Sequence, residues 1–151
     1  MACLISISQS SGERINQKKL EDFIRKILKK MGFSLKESDL WISVSFVGKK
    51  KIRSVNQKAR KKDQVTDVVS IGSLKKGHKK QFESLWGDIY LSYPVVRKQA
   101  QIFGHSIDQE IRILIVHALL HLLGYTHQNL KDRVKMRKKE RELLGKSLIG
   151  R

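Results

Sequence analysis

Apolar residues along the chain follow two different periods, which together predict a mixture of strands and helices. Apolar and polar residues alternate over residues 4–8 and 40–47, as they do in half-buried β-strands. The β-branched content of residues 66–71 predicts a third strand, and residues 87–92 predict a fourth. A basic, glycine-containing loop is expected between these last two strands, over residues 75–80.

Other stretches carry apolar residues at intervals of three and four, which is the period of an amphipathic helix. The first runs from about residue 16 to Gly32, and the second, over residues 49–62, places Ile52, Val55 and Ala59 on its apolar face. A short helix is expected from Ser92 to just before Gly104, and a final one after Asn129.

The most apolar of the predicted helices begins at a capping box formed by Ser106 and Gln109 and runs to about Leu123. Apolar residues lie on every side of it, which is typical of a helix buried at the centre of a domain. The 151 residues suffice for one domain with a sizeable core. We therefore expect a single domain over residues 1–151, organised around this helix.

Three histidines near the end of this helix suggest a metal site. His117 and His121 are one helical turn apart, so both imidazoles can bind one ion. Gly124 is suited to end the helix, and a chain reversal there would bring His127 towards the other two. Three nitrogen ligands leave the fourth position of a zinc ion open to water, as in catalytic sites. The alternative is a pair of ordinary core histidines that bind no metal.

The charge of the chain points to a polyanionic partner. The formal net charge is +18, and residues 49–62 contain eight basic residues and no acidic one. A helix face of this kind favours contact with nucleic-acid phosphates through Lys58, Arg60, Lys61 and Lys62, although an ordinary solvated face is the alternative. No basic amphipathic segment stands apart, so nucleic acid is favoured over a membrane. His78 and His105 are expected to be exposed.

Cysteine content and the first residues bear on the cellular compartment. The chain has one cysteine, Cys3, and therefore no internal disulfide, as is common in a reducing cytoplasm. The first dozen residues lack the pattern of a signal peptide, and no apolar run approaches the roughly 18 residues needed to cross a bilayer. A cytoplasmic protein is expected.

The spacing of the three histidines is shared with metzincin metalloproteases, in which a glutamate directly follows the first histidine. That position is Ala118 here, so a peptidase would lack its general base. A peptidase would also leave the basic surface unexplained.

Several motifs in order resemble the YbeY family of bacterial rRNA maturation factors. They are residues 56–60 (NQKAR), 66–70 (TDVVS), 87–89 (GDI) and the histidine block at 117–127, and the resemblance covers roughly residues 44–144. It implies an α+β domain with a small mixed sheet packed against helices. It also implies a metal-dependent, single-strand-specific endoribonuclease that acts in 16S rRNA 3′-end maturation and ribosome quality control, with the small ribosomal subunit as a partner.

The resemblance also implies roles for individual residues. His117, His121 and His127 correspond to the family's zinc ligands, although imidazole nitrogens also suit nickel or another divalent ion. Arg60 corresponds to an arginine taken to contact RNA phosphate or the reacting group. Thr126 stands where the family usually has an aspartate, which excludes a carboxylate base at that position.

We expect zinc to activate water and polarise a phosphodiester oxygen while Arg60 stabilises the developing negative charge. Asp67 and Asp88 are candidates to support the metal ligands, with a structural role at strand ends as the alternative. Two other functions remain open. The first is a non-catalytic, RNA-binding ribosome assembly factor with a mainly structural metal, and the second is a metzincin-like protease.

Overall fold

The computed structural model describes residues 3–76 and 82–145, and within these ranges the fold is α+β, as predicted. Four strands and five helices follow one another along the described chain. They are β1 (Cys3–Gln9), α1 (Gln17–Lys30), β2 (Asp39–Val47), α2 (Lys49–Arg60), β3 (Val68–Lys76), β4 (Phe82–Ser92), α3 (Tyr93–Phe103), α4 (Ile107–Leu122) and α5 (Leu130–Leu144).

The strands form one small mixed sheet in the order β1-β2-β4-β3. β1 pairs with β2 and β2 with β4 in parallel, whereas β3 is antiparallel to β4 and lies at an edge. A parallel pair needs a crossover connection, and α1 provides it between β1 and β2. The mixed sheet packed against helices confirms the predicted architecture.

Helix α4 lies at the centre of the molecule, as its apolar sequence predicts. It packs against β3 and β4 on one side and against α1, α3 and α5 on the others. Its first turn has the predicted capping box, in which the backbone N–H of Gln109 donates to Ser106 Oγ over 3.1 Å and the N–H of Ser106 donates to Gln109 Oε1 over 3.1 Å. Its buried apolar residues are Ile111, Ile113, Leu114, Ile115, Val116, Ala118, Leu119 and Leu120.

Two glycines let the end of α4 approach the sheet closely. Gly72 and Gly87 face each other on β3 and β4, and both lie under the side chain of Leu122. A Cβ at Gly87 would lie 2.5 Å from Leu122 Cδ1, so the Leu122 side chain would have to move to make room for a larger residue. This contact fixes the height of the histidine-bearing end of α4 above the edge strand.

Some sequence predictions were wrong in detail. Helix α2 ends at Arg60, because Lys61 adopts a left-handed backbone conformation with φ 58°. Its third buried position is Asn56, whereas Ala59 is exposed. Strand β3 extends through residues 75 and 76, which were predicted to form a loop, and residues 77–80 of that loop, with His78, lie outside the described residues.

His105 was predicted to be exposed, and this was also wrong. Its side chain is only 15% exposed, and its Nε2 lies 3.5 Å from Oε1 of the fully buried Glu110. A buried carboxylate needs a polar partner, which explains why the histidine turns inwards at the start of α4. Within the ranges that the structure describes, no helix has both the length and the apolar character needed to span a bilayer.

Candidate metal centre and active-site cleft

The structure brings His117, His121 and His127 together. One ring nitrogen of each lies within 4.8 Å of the corresponding nitrogens of the other two, and Nε2 of His117 is 3.0 Å from Nε2 of His121. A tetrahedral zinc ion with Zn–N bonds of about 2.0–2.1 Å holds its nitrogens roughly 3.3 Å apart. The observed spacing and the all-imidazole donor set therefore suit a divalent metal ion. No acidic residue belongs to this cluster among the described residues.

A glycine turn explains how the third histidine reaches the other two. After Leu123, the N–H of Gly124 donates to the carbonyl of His121 over 3.0 Å, and the N–H of Tyr125 donates to the carbonyl of Leu120 over 3.0 Å. Gly124 has φ 98°, a left-handed conformation that costs other residues free energy. The chain consequently turns back over the end of α4, as the sequence predicts, and carries His127 to the cluster.

Glu140 on α5 orients His117. Its Oε1 lies 2.9 Å from Nδ1 of His117, and the two side chains are 18% and 28% exposed. A carboxylate at Nδ1 favours the tautomer in which Nδ1 carries the proton and Nε2 has its lone pair free for a metal. The 2.9 Å contact therefore turns His117 Nε2 towards the position that His121 also faces.

His121 is held in the neutral form that metals bind. Burial is the main reason that its pKa falls from 6.5 to about 4, and the positive charges that His117, His127 and Arg60 can carry lower it further. A hydrogen bond to the backbone of Tyr125 acts in the opposite direction. At neutral pH the imidazole is uncharged, and no proton has to be displaced from its ligand nitrogen.

The loop that carries His127 is held by the first turn of α5. Thr126 Oγ1 donates to Asp132 Oδ2 over 3.0 Å, and Asn129 Nδ2 donates to the same oxygen over 3.0 Å. Asn129 also caps α5 as predicted, since its Oδ1 accepts from the N–H of Asp132 over 2.9 Å. Thr126 lacks a carboxylate of its own, and its hydroxyl instead links the loop to the carboxylate of Asp132.

A cleft of about 590 Å³ opens beside the histidines, between the end of α4, the edge strand β3 and the end of α2. All three histidines and Arg60 line it, as do small residues that leave room for a substrate backbone. The lining residues are Arg60, Asp67, Val68, Ser70, Gly72, His117, Ala118, His121, Leu122, Thr126, His127 and Gln128. The cleft can therefore admit a phosphodiester between a metal held by the histidines and the guanidinium of Arg60.

Two structural contacts deliver Arg60 to this cleft. Arg60 Nη1 donates to the carbonyl of Val68 over 3.5 Å at the start of β3. The fully buried Asn56, one turn earlier, donates through Nδ2 to the carbonyl of Gln64 over 3.0 Å and so ties the α2–β3 loop to the helix. Asn56 thus has a structural part in positioning Arg60.

Only one of the two aspartates considered from the sequence lines the cleft. Asp67 lines the cleft, where Oδ1 accepts from the N–H of Val68 over 2.7 Å and Oδ2 accepts from Gln99 Nε2 over 3.2 Å. Asp88 follows Gly87, which faces α4, so its side chain lies on the opposite face and accepts from Ser43 Oγ over 2.6 Å. Asp88 therefore supports the sheet and does not line the cleft.

The lysines predicted to bind RNA lie beside the cleft. Lys58, Lys61 and Lys62 are exposed on or just after the last turn of α2, and none of them lines the cleft. Glu140 and Asp132 were not predicted from the sequence, because both act through contacts between α5 and segments that precede it. Helix α5 is also so rich in lysine and arginine that its few acidic residues did not stand out in the sequence.

Comparison with known proteins identifies the family. The family model described as "Endoribonuclease YbeY" matches residues 5–147. An "Endoribonuclease YbeY" of Clostridium botulinum is 36% identical over 152 residues, covering 85% of this chain and 92% of the relative. Another of that name from Bacillus thuringiensis is 36% identical over 137 residues, covering 86% of this chain and 88% of the relative.

A solved structure has a similar fold. The solution structure of TM1509 from Thermotoga maritima is 26% identical in sequence, with a TM-score of 0.56, and the match covers 94% of this chain and 90% of that one. The family match and Ala118 directly after His117 both disfavour the metalloprotease alternative. The chain belongs to the YbeY endoribonuclease family.

Proposed function

We propose that this chain is a metal-dependent endoribonuclease that cleaves single-stranded RNA in its cleft and acts in 16S rRNA 3′-end maturation and ribosome quality control. The activity would reside in a single domain that spans the chain, in the cytoplasm, with the small ribosomal subunit as its partner. The observation that carries the proposal is the convergence of three imidazoles and one guanidinium on one cleft. Membership of the YbeY family and the net charge of +18 support an RNA substrate.

His117, His121 and His127 would hold the metal, and zinc is the ion that their number and nitrogen donors suit best. A divalent ion there supplies Lewis-acid polarisation of a phosphate oxygen and lowers the pKa of water. Arg60 presents an always-charged, planar donor group to the phosphate, so it can stabilise the negative charge that develops on the equatorial oxygens. Lys58, Lys61 and Lys62 would bind flanking phosphates beside the cleft.

Asp67 would orient rather than cleave. Of the described residues that line the cleft, it alone carries a carboxylate, and each of its oxygens already accepts a hydrogen bond. The carboxylate holds the first residues of β3 against α3 through Gln99, and the same segment provides the carbonyl that Arg60 contacts. Asp67 therefore fixes the wall of the cleft to which Arg60 is attached.

The test compares cleavage of a single-stranded rRNA fragment by the metal-loaded chain and by three variants, with metal content measured on the same samples. A His117→Ala/His121→Ala double variant should lose both metal and cleavage. Arg60→Ala should retain its metal and lose roughly 100-fold or more in turnover, in line with the removal of one donor to the transition state. Lys36→Ala, which removes a positive charge outside the cleft, is the matched control and should cleave normally.

Two results would contradict the proposal. Metal-loaded wild type that binds RNA without cleaving it would favour the RNA-binding assembly factor. Cleavage that persists in the metal-free double variant would show that the histidine cluster is not the active centre.

A further inference from the structure

Two tryptophans lie side by side on the face of the sheet that points away from α4. Trp41 of β2 pairs directly with Trp86 of β4, and the two residues are 62% and 45% exposed. The residues on either side of them along the strands are buried in the core, so the alternation of each strand directs both indoles outwards. Burying large aromatic groups is strongly favourable, so two adjacent exposed indoles indicate a binding surface.

The row that contains these indoles continues across the sheet. Leu4 of β1 pairs with Trp41 and is itself 51% exposed, and Ser73 of β3 pairs with Trp86 on the other side. In the neighbouring row, Ile71 of β3 is also exposed. We call the surface formed by Leu4, Trp41, Trp86 and Ile71 the tryptophan platform. It offers flat aromatic and aliphatic groups with a serine hydroxyl at the β3 side, and the carboxylate of Asp88, which accepts from Ser43 Oγ, lies in the same row as Ile71.

The same face of the sheet carries the basic helix. Val69 and Tyr90, two rows above the tryptophans, pack with Ile52 and Val55 of α2. Helix α2 therefore covers one end of this face and leaves the platform at the other. Six of the twelve residues of α2 are lysine or arginine, none is acidic, and these basic residues are exposed.

Aromatic groups beside a cationic surface match the chemistry of single-stranded nucleic acid. Unpaired bases stack on exposed aromatic rings, and their phosphates are neutralised by nearby lysine and arginine. A second copy of this chain is a poor occupant, because it would bring another net charge of +18 to the same surface. A duplex is equally unsuited, since its bases are already stacked.

We propose that the tryptophan platform binds unpaired bases of the RNA strand whose phosphodiester enters the metal cleft. The proposal rests on the proposed function, because it takes the ligand of the cleft to be RNA. Strand β3 separates the two surfaces: Ser70 and Gly72 line the cleft, whereas Ile71 between them belongs to the platform. One strand of a sheet is only about 4.8 Å wide. An RNA strand can therefore pass around this edge and contact both faces.

The chain provides its own reporter for this proposal, because Trp41 and Trp86 are its only two tryptophans. Single-stranded oligouridine should quench the intrinsic tryptophan fluorescence of the metal-loaded chain on mixing, before appreciable cleavage. Inorganic polyphosphate, which offers negative charge without bases, should bind without comparable quenching. Double-stranded RNA should likewise leave the fluorescence nearly unchanged. Equal quenching by polyphosphate and oligouridine, or none by oligouridine at saturation, would overturn the proposal.

Variants then measure the contribution of each indole. Trp41→Ala and Trp86→Ala should each weaken oligouridine binding by about 5-fold to 150-fold, the range for loss of one base–aromatic stack. Ile102→Ala removes an apolar side chain of α3 that is at least as exposed as either indole, and it should change the affinity by less than about twofold. Equal affinities for all three variants would overturn the platform. A second result would also overturn the proposal. If sedimentation shows that the mass doubles with rising concentration, and Trp41→Ala abolishes this doubling, a second copy of the chain occupies the face.

Failure of this proposal and failure of the nuclease proposal are distinguishable. If the chain cleaves RNA but the RNA does not quench its tryptophan fluorescence, the nuclease proposal stands and the platform proposal fails. If RNA quenches the tryptophan fluorescence but is not cleaved, the platform stands as an RNA-binding surface and the nuclease proposal fails.

Discussion

The contact between Glu140 and His117 leads to a quantitative prediction about metal affinity. Glu140→Gln keeps the size of the side chain and an oxygen that can accept from Nδ1 of His117, but it removes the negative charge. The pair is mostly buried, so solvent screens that charge only partly. Loss of a carboxylate partner behind a metal-binding histidine typically weakens metal affinity 10-fold to 100-fold. Since the substituted amide can still hold the ring by a neutral hydrogen bond, we expect a loss near 10-fold, or about 1.4 kcal/mol.

The assay is a zinc competition titration with a chromophoric chelator at constant pH and ionic strength. Glu140→Ala, which removes the hydrogen bond as well, should lie near the 100-fold end of the range. Glu142→Gln is the matched control, because it removes one negative charge from the same helix at a side chain that is 51% exposed and pairs with Lys139 over 3.4 Å. Equal zinc affinities for Glu140→Gln and Glu142→Gln would refute the reasoning, since only general charge would then matter.

Three further predictions concern stability and pH. Gly72→Ala should destabilise the chain by roughly 1–3 kcal/mol in urea unfolding and more than Gly87→Ala, because its new methyl group would meet the backbone of Trp86 and Gly87 as well as Leu122. The metal-free chain should lose stability as the pH falls from about 6.5 towards 4. The pKa of His121 is about 4 in the folded state, so the unfolded state binds more protons than the folded state in this pH range. A His121→Gln variant should therefore show a shallower pH dependence of the urea midpoint. Thr126→Val should lower the free energy of unfolding by about 0.5–1.5 kcal/mol, because it removes the hydrogen bond to Asp132, whereas Thr126→Ser should be close to wild type. Equal urea midpoints for Thr126→Val and wild type would show that this hydrogen bond does not stabilise the loop.

Local rules predicted the cluster of three histidines. A spacing of four residues on a helix and a glycine at its end are sufficient to place His117, His121 and His127 in the same region, because each depends on short-range backbone geometry. The capping box at Ser106 was predictable for the same reason. The apolar residues on every side of α4 correctly predicted that this helix is buried.

Contacts between distant segments could not be read from the sequence. Glu140 lies 23 positions after His117, and their contact depends on the angle at which α5 packs against α4. Ala59 was assigned to the buried face of α2 by its apolar character, yet the polar Asn56 is buried instead, because its amide donates to the α2–β3 loop. Hydrophobic periodicity does not predict a residue that is buried for its hydrogen bond.

The candidate site combines parts that are held with different rigidity. His117 and His121 belong to the core helix and are fixed by its packing, which places two ligands even before a metal binds. His127 is exposed on a loop. Among the described residues, hydrogen bonds from Thr126 and Asn129 to Asp132 attach this loop to the first turn of α5.

Arg60 reaches the same cleft from α2, which packs on the opposite face of the sheet, and it does so around the edge strand β3. The same edge separates the cleft from the tryptophan platform. Among the described strands β3 lies at an edge of the sheet, so a bound RNA strand would follow the path that the chain itself takes from α2 to β3. In the proposed complex, this edge of the sheet would allow one RNA strand to contact the basic helix, the platform and the metal cleft together.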